Sequence, residues 1–325
     1  MIGVKMSSIS LLVVSNLDIG STIQGQVLLD RGGWIEKNPV GGGKVWHHSR
    51  SLVHLWWRNE SHLFSNNVDD RYTKSTGFEI SDVLFLSRHV SASGLPSLTL
   101  HAIGVLGPEP LGKVAEHGGI NGRAVPPSPR FASLFRRLNR IAESHGLTDE
   151  FDITLETTHH GPYLITPSLF IEIGSTPEHW GREDAANVWA DVLSEEFGFE
   201  STIPISQTNQ VVMVGIGGGH YAPRHRNVLL QTNALTGHIL ANYSLTMNRP
   251  EGKWNPLSDR LPEGPWMNSI DVAIEQTTKS FPDHKIVAHL DRKSFKGWQR
   301  QSIKRYLESK NIEIFRLADF VNLET

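Results

Sequence analysis

The sequence predicts an α/β fold with a central mixed, largely parallel sheet flanked by helices. Two observations carry this. Short β-branched runs at 9–15, 82–86, 211–215 and 285–290 alternate with segments of helical periodicity to the end of the chain. The run 211–215 is also apolar throughout, as a strand covered on both faces must be. At 325 residues, 38% apolar and 20% charged, the chain can bury a core of that kind. One α/β domain over 9–320 is expected, with 36–80 as an insertion or irregular subregion within it.

The elements follow in order. Residues 9–15 form a first strand. After a loop, Ser21 is placed to cap a helix that holds Ile23, Val27 and Leu28 and ends at Gly32-Gly33. Gly41 to Gly43 make a hinge or turn. The segment 44–58, with Trp46, Val53, Leu55, Trp56 and Trp57, reads as a hairpin or inserted strand. Strands follow at 82–86 and 97–103. The Gly- and Pro-rich stretch 107–129 reads as a long loop, and such loops are often functional. Residues 129–145 read as a helix burying Phe131, Leu134, Phe135, Leu138 and Ile141, with Arg130, Arg136, Arg137 and Arg140 on the other side. Strands are expected at 152–156 and 168–173. A helix over 177–197 buries Ala185, Val188, Trp189 and Val192. After the strands 211–215 and 285–290 come a helix at 294–310 and a short strand at 312–315.

Composition narrows the chemistry. Lysine plus arginine minus acidic residues is 31 − 34 = −3, which excludes nucleic-acid binding by bulk charge but not by a local patch. The absence of cysteine removes disulfides, thiolate metal sites, Fe–S clusters and a cysteine nucleophile. No apolar run approaches the roughly 18 residues of a membrane span, so no membrane partner is expected. The N-terminus reads as a strand, not a signal peptide. The 16 histidines matter only where they cluster.

They cluster at strand ends, where open α/β sheets bind ligands. Glu156-Thr157-Thr158-His159-His160-Gly161-Pro162 ends a strand in a carboxylate, two hydroxyls and two imidazoles. That set suits a metal pair or a general base with its orienter, against the plain alternative of one buried and one exposed histidine. Gly217-Gly218-Gly219-His220-Tyr221 runs on to Arg224 and His225. Its glycines can turn backbone N–H groups toward an oxyanion, or simply make a tight turn. Ser87-Arg88-His89 and the nearby His101 can grip a phosphate and extend the imidazole cluster, or form a capped surface loop. Glu172 to Trp180 reads as a helix start, mostly structural. Neither a zincin spacing nor a G-x-S-x-G elbow occurs, so water is the expected nucleophile.

Together these segments resemble the archaeal and plant type of D-aminoacyl-tRNA deacylase. The matching stretches are Val13-Val14-Ser15, Leu86-Ser87-Arg88-His89 through Leu98-Thr99-Leu100-His101, Thr158-His159-His160-Gly161-Pro162, Phe170-Ile171-Glu172-Ile173-Gly174-Ser175, and Gly215 through Pro223. They occur in the family's order over most of the chain. One departure is Gly104-Val105, where the family pattern often has Gly-Asn. The resemblance implies hydrolysis of the ester joining a D-amino acid to the 3′ end of tRNA, over a broad range of side chains, in the cytoplasm. It implies a fold related to peptidyl-tRNA hydrolases and nucleoside phosphorylases, and zinc as cofactor.

The implied reaction assigns roles. His159, His160, Glu156 and His220 are the catalytic candidates, with Glu156 as orienter or acid. His159, His160, His89 and His101 are the metal candidates. Arg88, Gly217, Gly218, Gly219, Tyr221 and Arg224 are the substrate-binding candidates, Tyr221 by stacking on the terminal adenosine. The expected partner is tRNA carrying a D-amino acid, with no stable protein partner. Two basic faces compete to dock it: Arg130, Arg136, Arg137 and Arg140, or Lys293, Lys296, Arg300 and Lys304, each of which can equally be a solvated helix face. The principal alternative is a metal-dependent amidohydrolase acting on a small N-acyl or peptide substrate. A non-catalytic RNA-binding module and a nucleoside phosphorylase are the others.

Overall fold

In the computed structural model, the structure describes residues 8–108, 118–200, 211–252, 254–255 and 259–323. Part of the expected loop over 107–129 therefore lies outside the described residues.

Two sheets organise the chain. The larger has eight strands in the order β2-β3-β4-β1-β5-β10-β6-β9. They are β1 (Ile9–Ser15), β2 (Trp34–Val40), β3 (Gly43–His48), β4 (Val53–Arg58), β5 (Ile80–Val90), β6 (Ser97–His101), β9 (Asp152–Ile153) and β10 (Ser168–Ser175). Between them in sequence lie the short antiparallel strands β7 (Gly104–Val105) and β8 (Arg123–Ala124). The centre, β4-β1-β5-β10, is parallel, and β6 returns antiparallel to β10. The smaller sheet is wholly parallel, in the order β12-β11-β13-β14. Its strands are β11 (Val212–Ile216), β12 (Leu235–Leu240), β13 (Ile286–Leu290) and β14 (Ile314–Phe315). Helices cover the faces, so this is the α/β architecture with a mixed, largely parallel sheet that the sequence predicts. Among the described residues no helix is long and apolar enough to cross a membrane.

The core explains the elements. Leu12, Val14, Leu84, Leu86, Leu169 and Ile171 are buried on one face of the large sheet. The helix Phe131–Ser144 adds Phe131, Leu134, Phe135 and Leu138 to that cluster, and the helix Glu183–Phe197 adds Val188, Trp189 and Val192. Neighbouring residues Leu11, Val13, Val83 and Phe85 point to the opposite face, where they meet Trp56 and Tyr72.

Several sequence expectations are corrected. The first helix, Ile19–Asp30, is capped by Asp18, not Ser21. A carboxylate three residues upstream satisfies the Ser21 N–H at 3.0 Å, while the Ser21 hydroxyl turns inward to the buried His62. The segment 36–80 holds regular structure: β2 to β4 complete one flank of the large sheet, followed by the helix Val68–Thr76. The expected helix over 177–197 is two, Pro177–Trp180 and Glu183–Phe197, broken at Gly181. The regular strand expected at 152–156 ends at Ile153, although the Thr154 and Glu156 N–H groups still donate to the Leu98 and Leu100 carbonyl oxygens of β6, both at 3.0 Å, and so keep the chain beside the sheet as it enters the site. The helices Pro223–Gln231 and Trp266–Ser280, and β12 between them, were not foreseen.

The first basic face is also corrected. Arg130 pairs with Asp82 and Glu196, Arg137 with Glu195 and Glu196, and Arg140 with Glu195. Arg136 donates to the carbonyl oxygens of Leu229, Thr232 and Ala234. These arginines tie the helix to its neighbours, and the carboxylates that neutralise them come from sequence-distant elements.

Candidate active site

The sheets bring five histidines and two carboxylates to one cleft. Strand β10 carries Glu172 between β5 and β6, in register with Ser87 on one side and Thr99 on the other. Two residues along each neighbour, on the same sheet face, stand His89 and His101. The His101 ring stacks on Phe170 with centroids 5.0 Å apart.

The segment 156–160 joins the two sheets. The Thr157 N–H donates to the His220 carbonyl at 2.8 Å, and the Thr158 N–H to the Ile239 carbonyl at 2.7 Å. His159 pairs with Ile103 as an isolated bridge. Adjacent histidines on a strand would face opposite ways. Here the backbone turns through positive φ at His160 (21°) and Gly161 (93°), and the two rings lie 4.1 Å apart. A Cβ at Gly161 would also stand 2.8 Å from Ile103 and 2.9 Å from Phe170. Glycine is therefore required twice over.

Glu156 is the centre. Its Oε1 is 3.1 Å from His89 Nδ1, and its Oε2 is 2.6 Å from His220 Nε2 and 3.4 Å from His159 Nε2. Glu172 lies 3.2 Å from His89 Nδ1 and 3.8 Å from His101 Nε2. Burial alone would raise the Glu156 carboxyl; His89 and His220 outweigh it and hold it below the usual range. Glu172 is likewise raised by burial but held well below the usual range by His101 and His89. Burial opposes charge on His89, yet Glu156 and Glu172 raise it to about 10. His89 is thus an imidazolium with both N–H groups engaged, its Nε2 donating to the Tyr221 hydroxyl at 3.1 Å. The Tyr221 hydroxyl in turn donates to Ser91. His159 goes the other way: burial and the neighbouring His101, His160 and His220 push it well down, so it is neutral. Two buried carboxylates with strongly divided histidines are costly as structure and typical of functional sites.

The donor sets fit a metal. His101, His159 and His160 offer ligand atoms within 4.8 Å of one another, as do Glu156, His159 and His220, and His89, Glu156 and Glu172. His101 Nε2 is buried without a hydrogen-bond partner among the described residues. The three-imidazole set matches the ligand chemistry zinc favours. The four histidines expected as one metal set are divided: His89 sits with the carboxylates, away from the other three.

Above this floor opens a cleft of about 610 Å³, in the size range of small-molecule sites. Its far wall includes Ser15, Asp18, His62 and Arg88. The Arg88 guanidinium lies 4.8 Å over the Trp180 ring. Tyr221 lines the cleft but holds His89 through its hydroxyl, a role the sequence did not suggest. Gly217, Gly218, Gly219 and Arg224 do not line it. The Gly217 N–H is committed to the Leu240 carbonyl at 2.7 Å, and Arg224 pairs with Asp291 at 2.9 Å. Gly217 works by close packing, since a Cβ there would lie 2.4 Å from Phe295. Sequence reasoning missed Glu172, although a carboxylate within the apolar run 168–173 was a legible signal. Asp18 and His62 gave none.

Comparison with known proteins follows the same lines. The family model for D-aminoacyl-tRNA deacylase matches residues 76–315. A D-aminoacyl-tRNA deacylase of Arabidopsis thaliana is 39% identical over 317 residues, 96% of this chain and 99% of that one. One of Methanosarcina barkeri is 32% identical over 261 residues, 80% of this chain and 72% of its own. A crystal structure of a conserved protein of unknown function shares the fold, with a TM-score of 0.77 at 24% identity over 97% of both chains.

Proposed function

Since this chain belongs to the D-aminoacyl-tRNA deacylase family, as an enzyme of that type, we propose that its histidine–carboxylate cleft hydrolyses the ester of D-aminoacyl-tRNA with His220 as the base. The observation that carries the assignment is the Glu156–His220 contact. Glu156 is wholly buried, whereas the His220 side chain is 23% exposed in the cleft. Nε2 faces the ionised carboxylate and so carries the proton, which leaves the lone pair on Nδ1. The Tyr243 hydroxyl lies 3.4 Å from Nδ1 and 3.1 Å from the Thr157 hydroxyl, so it leaves the Nδ1 lone pair to water when it donates to Thr157 instead. In the reaction Nδ1 takes a proton from the attacking water, whose oxygen bonds to the ester carbon. The imidazolium then returns that proton to the ribose 3′-oxygen as the C–O bond breaks. The buried carboxylate orients the imidazole and stabilises its charged form. The His89 imidazolium keeps Glu156 and Glu172 ionised and in place.

His101, His159 and His160 would hold zinc. Zinc there supplies polarisation of the ester carbonyl and eases the ionisation of water. A single catalytic domain over 9–320, acting in the cytoplasm on a broad range of D-aminoacyl groups, belongs to the same proposal. The amidohydrolase alternative shares the histidines, but no observation of the cleft favours it.

The test is amino-acid release from D-Tyr-tRNA and L-Tyr-tRNA in parallel, before and after chelation. Release from the D form alone, lost on chelation and restored by zinc, is the expected result. Equal release from both forms would remove chiral selection, and undiminished release after chelation would remove the metal.

A further inference from the structure

We infer that the segment 291–304 at the C-terminal end of β13 is the surface that grips the phosphodiester backbone of the tRNA stem; this rests on the deacylase reading of the cleft. Between Asp291 and Glu308 the sequence places six cations, Arg292, Lys293, Lys296, Arg300, Lys304 and Arg305, against those two carboxylates alone. In a chain of net charge −3 this is a strong local surplus.

The structure separates this surface from the other basic helix. Every arginine of the 130–140 face is spent on a carboxylate or a carbonyl cage. Arg292, Lys293 and Lys296 are exposed, and among the described residues none of them forms an ion pair. The remaining cations have other work. Arg300 donates to the carbonyl oxygens of Arg292 and Phe295, which braces the loop. Lys304 lies 3.6 Å from Glu308, further along the helix Gly297–Ser309.

Position completes the case. The Asp291 N–H donates to the Ile216 carbonyl at 2.9 Å, and the Asp291 carboxylate holds Arg224. Phe295 and Ser294 pack directly on Gly217. The basic loop therefore backs onto the glycine turn that carries His220. A polyanion lying on Arg292, Lys293 and Lys296 is anchored one loop away from the base. Phosphate contacts of this kind position a substrate and carry no sequence information. That suits an enzyme that must accept tRNAs of many identities.

The test is the triple variant Arg292→Ala, Lys293→Ala, Lys296→Ala in the full chain, assayed with D-Tyr-tRNA and with the D-tyrosyl ester of adenosine, which lacks the stem. For the tRNA, KM should rise about tenfold or more at physiological salt with kcat unchanged. The slope of log(kcat/KM) against log[salt] should shrink by about 2 to 3, one step per lost phosphate contact. The adenosine ester should be hydrolysed at the wild-type rate, and Lys or Arg interchanges at these positions should restore the tRNA KM. Arg140→Ala should alter neither slope nor KM. An unchanged tRNA KM and slope would overturn the assignment, and so would an equal loss on the adenosine ester, which would mean that the loop shapes the cleft instead. If the wild-type enzyme hydrolyses neither ester, the deacylase reading fails by itself. Binding of uncharged tRNA then decides the surface: weakening in the triple variant sustains it, and equal binding overturns it.

Discussion

Among the described residues, histidine rings pack closely both in the cleft and on the flank of the large sheet, and of these two groups only the first lies against carboxylates. In the cleft, His101 and His159 sit 3.9 Å apart beside Glu156 and Glu172. On the flank of the large sheet, His47 and His54 stack at 3.4 Å, with His54 Nδ1 bonded to the Tyr72 hydroxyl at 2.9 Å. No carboxylate enters that second group, whose charged neighbour is Lys37. Burial, with His47 and Lys37, therefore pushes His54 down to about 3, so it packs as a neutral ring. In the cleft the same burial is reversed at His89 by two carboxylates. The difference teaches that a buried carboxylate, more than a histidine count, turns an aromatic cluster into a charged, divided set of acids and bases.

The largest test of this contrast is Glu156→Gln. It keeps shape and hydrogen-bonding reach but removes the charge that fixes the His220 tautomer. The deacylation rate constant should fall by about 10³ or more, with folding largely retained. A fall of less than tenfold, measured by single turnover, would mean the carboxylate is packing and not mechanism. His159→Ala should come next: bound zinc per chain, read by mass spectrometry, should drop together with turnover. Full metal occupancy in that variant would place the metal in another donor set.

His54→Phe sharpens the other side. The folded-state pKa of His54, about 3, lies below the roughly 6.5 of an unfolded histidine. The unfolded chain therefore takes up the proton first as pH falls. Stability from neutral His54 is complete above about pH 6.5 and is lost as pH falls toward 3. With Phe at 54, the difference in Tm between pH 7 and pH 4 should narrow by a few degrees, while turnover stays within twofold. An unchanged pH profile of Tm would show that His54 does not govern acid stability. The smallest effect belongs to His47→Leu. A half-exposed ring whose contacts are His54 and Phe78 should contribute under about 1 kcal/mol in denaturant unfolding.

The sequence made the cleft legible in part, for a physical reason. Strand ends announce themselves by composition, so His89, His101, His159, His160 and His220 could be found from where apolar runs stop. Pairing across sheets leaves no such mark. That Glu172 stands between His89 and His101 follows from β10 inserting between β5 and β6, which is a matter of topology. Charge partners are equally non-local. Arg130 and the three arginines of the helix Phe131–Ser144 look like a docking face until Asp82, Glu195 and Glu196 neutralise Arg130, Arg137 and Arg140 and carbonyl oxygens take up Arg136. Helix starts fail more locally: Asp18 and Ser21 are both good caps, and the tie to Ser87 and Arg88 selects Asp18.

The backbone bonds from Thr157 and Thr158 to the smaller sheet bear on how the enzyme is made. The ribosome releases His89, His101, His159 and His160 well before β11, β12 and β13 exist to receive those bonds. His220, and the strands that hold its loop, emerge after them. Closing the cleft thus needs backbone contacts from Thr157 to His220 and from Thr158 to Ile239, which join the two sheets, and such long-range closures are slow steps in folding. The smaller sheet therefore sets the point in synthesis at which His220 can join the other residues of the cleft.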